Sequence, residues 1–96
     1  MNDVKAERVA DWDALSAPGR FMFAGNPGDQ PTDLIFVCPC GCGVISSVTL
    51  STSPRSDGPR WAWNGNSDSP TLTPSIRKLN GCLWHGFLTD GIFKSC

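Results

Sequence analysis

The sequence predicts a mainly β protein: a small single-domain antiparallel β structure with a zinc-ribbon-like or Rieske-like metal site and little helix. Three observations carry that prediction. Ten glycines and eight prolines among 96 residues divide the chain into short segments joined by turns, leaving little room for a long helix. Several of those segments alternate apolar and polar residues, the period of a half-buried strand. Five cysteines and the one histidine gather in "CPCGCG" (Cys38, Cys40, Cys42) and "CLWHGFLTDGIFKSC" (Cys82, His85, Cys96). A chain of this length makes one domain, 1–96, and buries roughly 60–70% of its unfolded surface, so its core is thin. Residues 1–18 read as a polar arm and residues 34–96 as the metal-binding β core.

Taken in order, residues 1–18 carry Asp3, Glu7, Asp11 and Asp13 among isolated apolar residues whose spacing fits neither a helix nor a strand. This arm is expected to be weakly structured or docked, with one helical turn. "GRFMFAG" (Gly19–Gly25) reads as a short strand between glycines, and "NPGDQPTD" as a loop. "LIFVC" (Leu34–Cys38) is the clearest strand and delivers Cys38 at its end. "VISSVTL" (Val44–Leu50) follows as a strand with Val44, Val48 and Leu50 on one face. "RWAWN" places Trp61 and Trp63 on a common face, more in keeping with a core than with a ligand platform. "TLTPSI" alternates Leu72 and Ile76 against hydroxyls, and Pro74, which cannot donate to a ladder, argues for an edge strand or an extended segment.

The last segment is the most explicit. Asp90-Gly91 is a dipeptide preferred in two-residue type I′ hairpin turns. Counting outward pairs Thr89 with Ile92, Leu88 with Phe93, Phe87 with Lys94, Gly86 with Ser95 and His85 with Cys96. Opposed residues have Cβ atoms about 4.5–5.5 Å apart, so this register sets the imidazole beside the terminal thiol.

Charge and composition exclude several functions. Eight Lys+Arg against nine Asp+Glu give a net charge of −1, without the clustered excess of cations that nucleic-acid binding requires. No apolar run approaches the length of a membrane span, and the first residues lack the apolar centre of a signal peptide. A cytoplasmic location is expected. Glu7 is the single glutamate and the aspartates are scattered, so no carboxylate pair for acid–base work can be located. "PTLTPSI" is rich in hydroxyls, but a Ser or Thr nucleophile needs a general base, and His85 is assigned to metal.

That assignment follows from the cysteines. Dense Cys with His in a chain lacking a secretory signal reads as metal binding, and a disulfide between residues two apart would be strained. Zinc takes four ligands in a tetrahedron. One pair comes from Cys38, Cys40 and Cys42, where Pro39, Gly41 and Gly43 permit the necessary bend. The other comes from the hairpin, as His85 with Cys96 or Cys82 with His85. Six candidates thus compete for four places. Trp84, between Cys82 and His85, would shield the ion. An iron–sulfur cluster is the alternative, although one histidine cannot supply the two that a Rieske centre uses.

"FVCPCGCG", "RWAWNGN", "SPTLTPSI" and "CLWHGFLTDGIFKSC", in this order, resemble an uncharacterised family of small phage and prophage proteins often labelled "ammonia monooxygenase". The resemblance covers Leu34 to Cys96. It implicates Cys38 with Cys40 or Cys42, then His85 and Cys96, in metal binding. No copper or iron constellation supports the oxygenase label. The expected function is a non-enzymatic, phage-type protein whose structural zinc holds a scaffold that binds a host or phage protein partner. Two alternatives stand beside it: a metal-dependent or redox (Rieske-like) enzyme, and an accessory zinc domain of a ubiquitin-like conjugation or defence system.

Overall fold

The computed structural model describes residues 3–25, 28, 30–54, 58–77 and 83–95. Among these the chain is mainly β, arranged as two sheets with a single 3-10 turn at Trp12–Ala14. That turn is capped by Asp11, whose carboxylate accepts from the Ala14 N–H at 3.2 Å.

The N-terminal arm is docked, and it joins both sheets. Strand β1 (Val4–Lys5) pairs antiparallel with β9 (Ile92–Ser95), while β2 (Glu7–Arg8) pairs parallel with β3 (Arg20–Ala24). Between them the buried Ala6 donates its N–H to Gly91 O at 2.8 Å, which pins the crossing point. The four-stranded sheet runs β2-β3-β4-β5, with β4 at Asp33–Val37 and β5 at Ile45–Thr49. The five-stranded sheet runs β1-β9-β8-β7-β6, with β6 at Ala62–Trp63, β7 at Leu72–Arg77 and β8 at His85–Thr89.

The alternation in the sequence becomes an inside and an outside. Phe21, Leu34, Phe36, Val48 and Leu50 from the first sheet meet Leu72, Ile76, Leu88 and Phe93 from the second in one buried cluster. The rings of Phe36 and Phe93 lie 5.4 Å apart, centroid to centroid, and so join the sheets through an aromatic contact. Trp61 and Trp63 pack against this cluster. Each indole N–H reaches a carbonyl, Ser75 O at 3.2 Å and Asn66 O at 3.1 Å respectively, as partly buried tryptophans require. Val44, expected on the inner face with Val48 and Leu50, is 40% exposed.

The β8–β9 hairpin has the register read from its turn. Thr89 faces Ile92, Leu88 faces Phe93, Phe87 faces Lys94 and Gly86 faces Ser95. Asp90 and Gly91 both have positive φ, 48° and 74°, as a type I′ turn demands. The last expected pair, His85 with Cys96, ends outside the described residues.

Strand β7 is not an edge. It lies between β6 and β8, although β6 pairs only with its first two residues, Leu72 and Thr73. Pro74 is accommodated by an irregularity in the ladder. Leu72 faces Leu88 and Ile76 faces Gly86, so four steps along β7 match two along β8. A bulge of this kind needs no N–H from proline and re-aims the side chains beside it. Among the described residues no helix is long and apolar enough to cross a membrane.

Candidate functional site

The re-aimed side chain is Ser75. Beyond the bulge, Arg77 lies directly opposite His85, and Ser75, two residues earlier, projects to the same outer side while Ile76 between them is buried. A residue diagonally displaced across a pair is still within reach of a long or aromatic side chain. His85 makes that reach: its Nε2 lies 3.0 Å from Ser75 Oγ. The serine is half-buried and the imidazole exposed.

Both residues are held by their neighbours. The Ser75 carbonyl accepts the Trp61 indole N–H at 3.2 Å, which ties the bulge to the segment beside β6. Trp84, immediately before His85, is only 6% exposed. Its Nε1 donates to Ser95 Oγ at 3.0 Å, and its ring meets that of Phe93 edge-on, with centroids 6.0 Å apart. With Trp84 facing inward, strand alternation turns His85 outward. Trp84, expected to shield a metal, packs inward and anchors this hairpin.

The second cluster is the turn between β4 and β5. Cys38 is buried, Cys40 half-buried and Cys42 exposed. The turn is closed by Cys38 N–H to Val44 O at 2.9 Å and Gly41 N–H to Cys38 O at 3.2 Å. Gly41 and Gly43 take φ of 93° and 81°, values that residues with a Cβ seldom adopt. The bend brings together all three thiols, not just two: the sulfurs of Cys38 and Cys40 lie 3.1 Å apart, and the three sulfurs all lie within 4.8 Å of one another. Thiolates on a tetrahedral zinc, with Zn–S near 2.3 Å, are about 3.8 Å apart, so this spacing could hold a metal ion. Among the described residues His85 is not part of that group. Cys82 and Cys96 lie outside them.

Ser75 was not among the expected site residues. Its signal is the hydroxyl-rich "PTLTPSI", to which the sequence offers no general base while its one imidazole is counted as a metal ligand.

A family model described as "Bacterial ubiquitination-like system serine protease (BubE)" matches residues 7–96. No curated protein and no solved structure matches the chain. The family match corrects two expectations. The "FVCPCGCG" and "HGFLTDGIF" motifs do not mark an uncharacterised phage family with an oxygenase label. Nor is the expected non-enzymatic zinc scaffold sustained, because the family is one of proteases. The alternative that pointed to a ubiquitin-like system came nearer, although it foresaw an accessory zinc domain and not a peptidase. With all but its first six residues matched, the chain belongs to the BubE family, the serine proteases of bacterial ubiquitination-like systems.

Proposed function

We propose that Ser75 is the nucleophile and His85 the general base of a peptidase acting on a polypeptide of a ubiquitin-like system. The observation that carries this reading is the 3.0 Å separation of Ser75 Oγ and His85 Nε2, within the hydrogen-bond reach that a nucleophile and its base need. With the imidazole neutral and its proton on Nδ1, Nε2 accepts the hydroxyl proton. Ser75 Oγ then attacks the scissile carbonyl carbon while its proton passes to Nε2. Collapse of the tetrahedral intermediate breaks the C–N bond, and the imidazolium returns the proton to the departing amine. Water repeats the sequence on the acyl-enzyme: it loses a proton to Nε2, adds to the carbonyl and releases the carboxylate, and Ser75 regains its proton.

Both partners stand on paired strands and not on a free loop, which favours a fixed attack geometry. The Trp61 contact to Ser75 O and the inward anchor of Trp84 supply the support behind them. The experiment is labelling with a fluorophosphonate probe followed by peptide mapping. Modification of Ser75 that is lost in His85→Gln is the expected result. Labelling of another serine, or undiminished labelling of His85→Gln, overturns the assignment.

Independently of the catalytic pair, the Cys38–Cys40–Cys42 turn holds a zinc ion in this reading. Three soft sulfur donors suit zinc, and with a fourth ligand to close the tetrahedron the ion would be structural and fasten the turn between β4 and β5. Iron carried by the same thiols is the alternative, separable by its colour.

A further inference from the structure

The outer face of the β7–β8–β9 ladder carries more than the Ser75–His85 pair. Phe87, two residues beyond His85 on the same side of β8, is 43% exposed, and Leu83, two residues before it, is 62% exposed. Single exposed apolar residues are ordinary. Here two large ones bracket an imidazole, and Leu83 also has φ of +56°. For a bulky residue that is a rare and costly backbone conformation, of the kind that concentrates at functional sites.

The charged residues that β7, β8 and β9 place on this face are of one sign; β1 borders it with Lys5 opposite Ile92 and, one step beyond the paired Val4, with the exposed Asp3. Strand register sets Lys94 directly opposite Phe87 and Arg77 directly opposite His85, and both are exposed. Among the described residues neither is in an ion pair. The remaining outward residues of these strands are Thr73, Pro74, Ser75, Thr89 and Ile92, so no carboxylate of β7, β8 or β9 faces outward with the two cations. The chain as a whole has a net charge of −1, which makes this local excess a departure from the average surface.

We infer that Leu83, Phe87, Arg77 and Lys94 form the substrate-binding platform of the catalytic pair, and that its occupant is an extended acidic polypeptide segment carrying bulky apolar side chains. The inference rests on the peptidase reading for its purpose, and on exposure and register for its chemistry. An aromatic or aliphatic side chain of the occupant gains by covering Phe87 and Leu83, which are otherwise wet. Carboxylates along the occupant meet Arg77 and Lys94, which sets orientation and excludes basic segments more than it adds affinity. A segment so placed runs across His85 and presents its backbone carbonyls to Ser75.

The test separates binding from catalysis by using Ser75→Ala protein, which cannot cleave. Fluorescein-labelled random copolymers, poly(Glu,Tyr) and poly(Lys,Tyr), are titrated with it and followed by anisotropy. Poly(Glu,Tyr) is expected to bind about tenfold more tightly than poly(Lys,Tyr), as charge discrimination at a small interface allows. The charge reversals R77E and K94E together should invert that order. L83S and F87S should each weaken poly(Glu,Tyr) by about three- to tenfold, the effect of removing an apolar anchor, with unchanged melting temperature. Equal affinities for the two copolymers, or R77E/K94E protein that binds poly(Glu,Tyr) as before, would overturn the platform. Should the apolar variants misfold, the reversals at exposed Arg77 and Lys94 decide alone. Fluorophosphonate labelling of the unsubstituted protein stands apart. Lost binding with Ser75 still labelled removes the platform only; absent labelling with binding intact removes the peptidase reading only.

Discussion

Gly86 is the space into which Trp84 fits. A Cβ on Gly86 would sit 2.6 Å from Trp84 Cζ2 and 2.9 Å from its Cη2, and would collide with the Lys94 carbonyl oxygen on the paired strand. Backbone on one side and a buried ring on the other leave a methyl group nowhere to go. Because His85 lies between these two residues, its outward orientation depends on their fit.

Gly86→Ala is therefore expected to destabilise the fold by about 3 kcal/mol, the upper range for overpacking a filled site. It should also slow fluorophosphonate labelling of Ser75, since Trp84 cannot move without turning His85. Urea unfolding and labelling rates on the same protein measure the two effects. An alanine variant as stable and as reactive as the parent would show that the contact positions nothing.

Ser75→Ala and His85→Ala are each expected to reduce peptidase activity by about 10³-fold or more, and the double variant should be little worse than either. Residues that act as one unit lose their function together. Circular dichroism should be unchanged, because Ser75 is only half-buried and His85 is exposed. Losses that multiply in the double variant would mean that the two residues do not share a step.

Trp61→Phe keeps a ring against the core but removes the donor to Ser75 O. A lost hydrogen bond of this kind costs about 1 kcal/mol of stability. The larger consequence is expected in kcat, a fall of about tenfold with KM nearly constant, because a small misplacement of a nucleophile is expensive. A change confined to KM would assign Trp61 to binding and not to holding Ser75.

Purified protein is expected to carry about one zinc per chain and to be colourless, as a single tetrahedral thiolate site would be. Cys38→Ser and Cys42→Ser should both lower the zinc content, and cobalt substitution should produce intense sulfur-to-metal absorption. Removal with a strong chelator should lower the melting temperature, since binding energy at a structural site is folding energy. Visible charge-transfer bands with stoichiometric iron would replace zinc with an iron centre. A metal-free protein of undiminished stability would leave the three thiols a reason other than metal.

The sequence by itself determined whatever rests on neighbours along the chain. Asp90-Gly91 set the turn type, and the turn set the β8–β9 register down to Gly86 opposite Ser95, because a two-residue loop leaves the flanking strands no freedom to slip. Alternation set Leu72 with Ile76 and Val48 with Leu50 on faces that prove buried, and glycines at 41 and 43 allowed the bend that gathers the thiols. Tertiary structure alone decided the rest. The arm of residues 1–18 has no periodicity because each of its two short strands completes a different sheet, and its partners are supplied by β3 and β9. Ser75 and His85 lie ten positions apart on strands whose ladder carries a bulge at Pro74, and no local rule states where a bulge will place the residues beyond it. An imidazole can serve a metal or a hydroxyl equally well. The sequence named His85 but not Ser75, and the register of β7 on β8 put Ser75 Oγ against His85 Nε2, because cross-strand pairing, unlike a turn, is settled only when the whole sheet has packed.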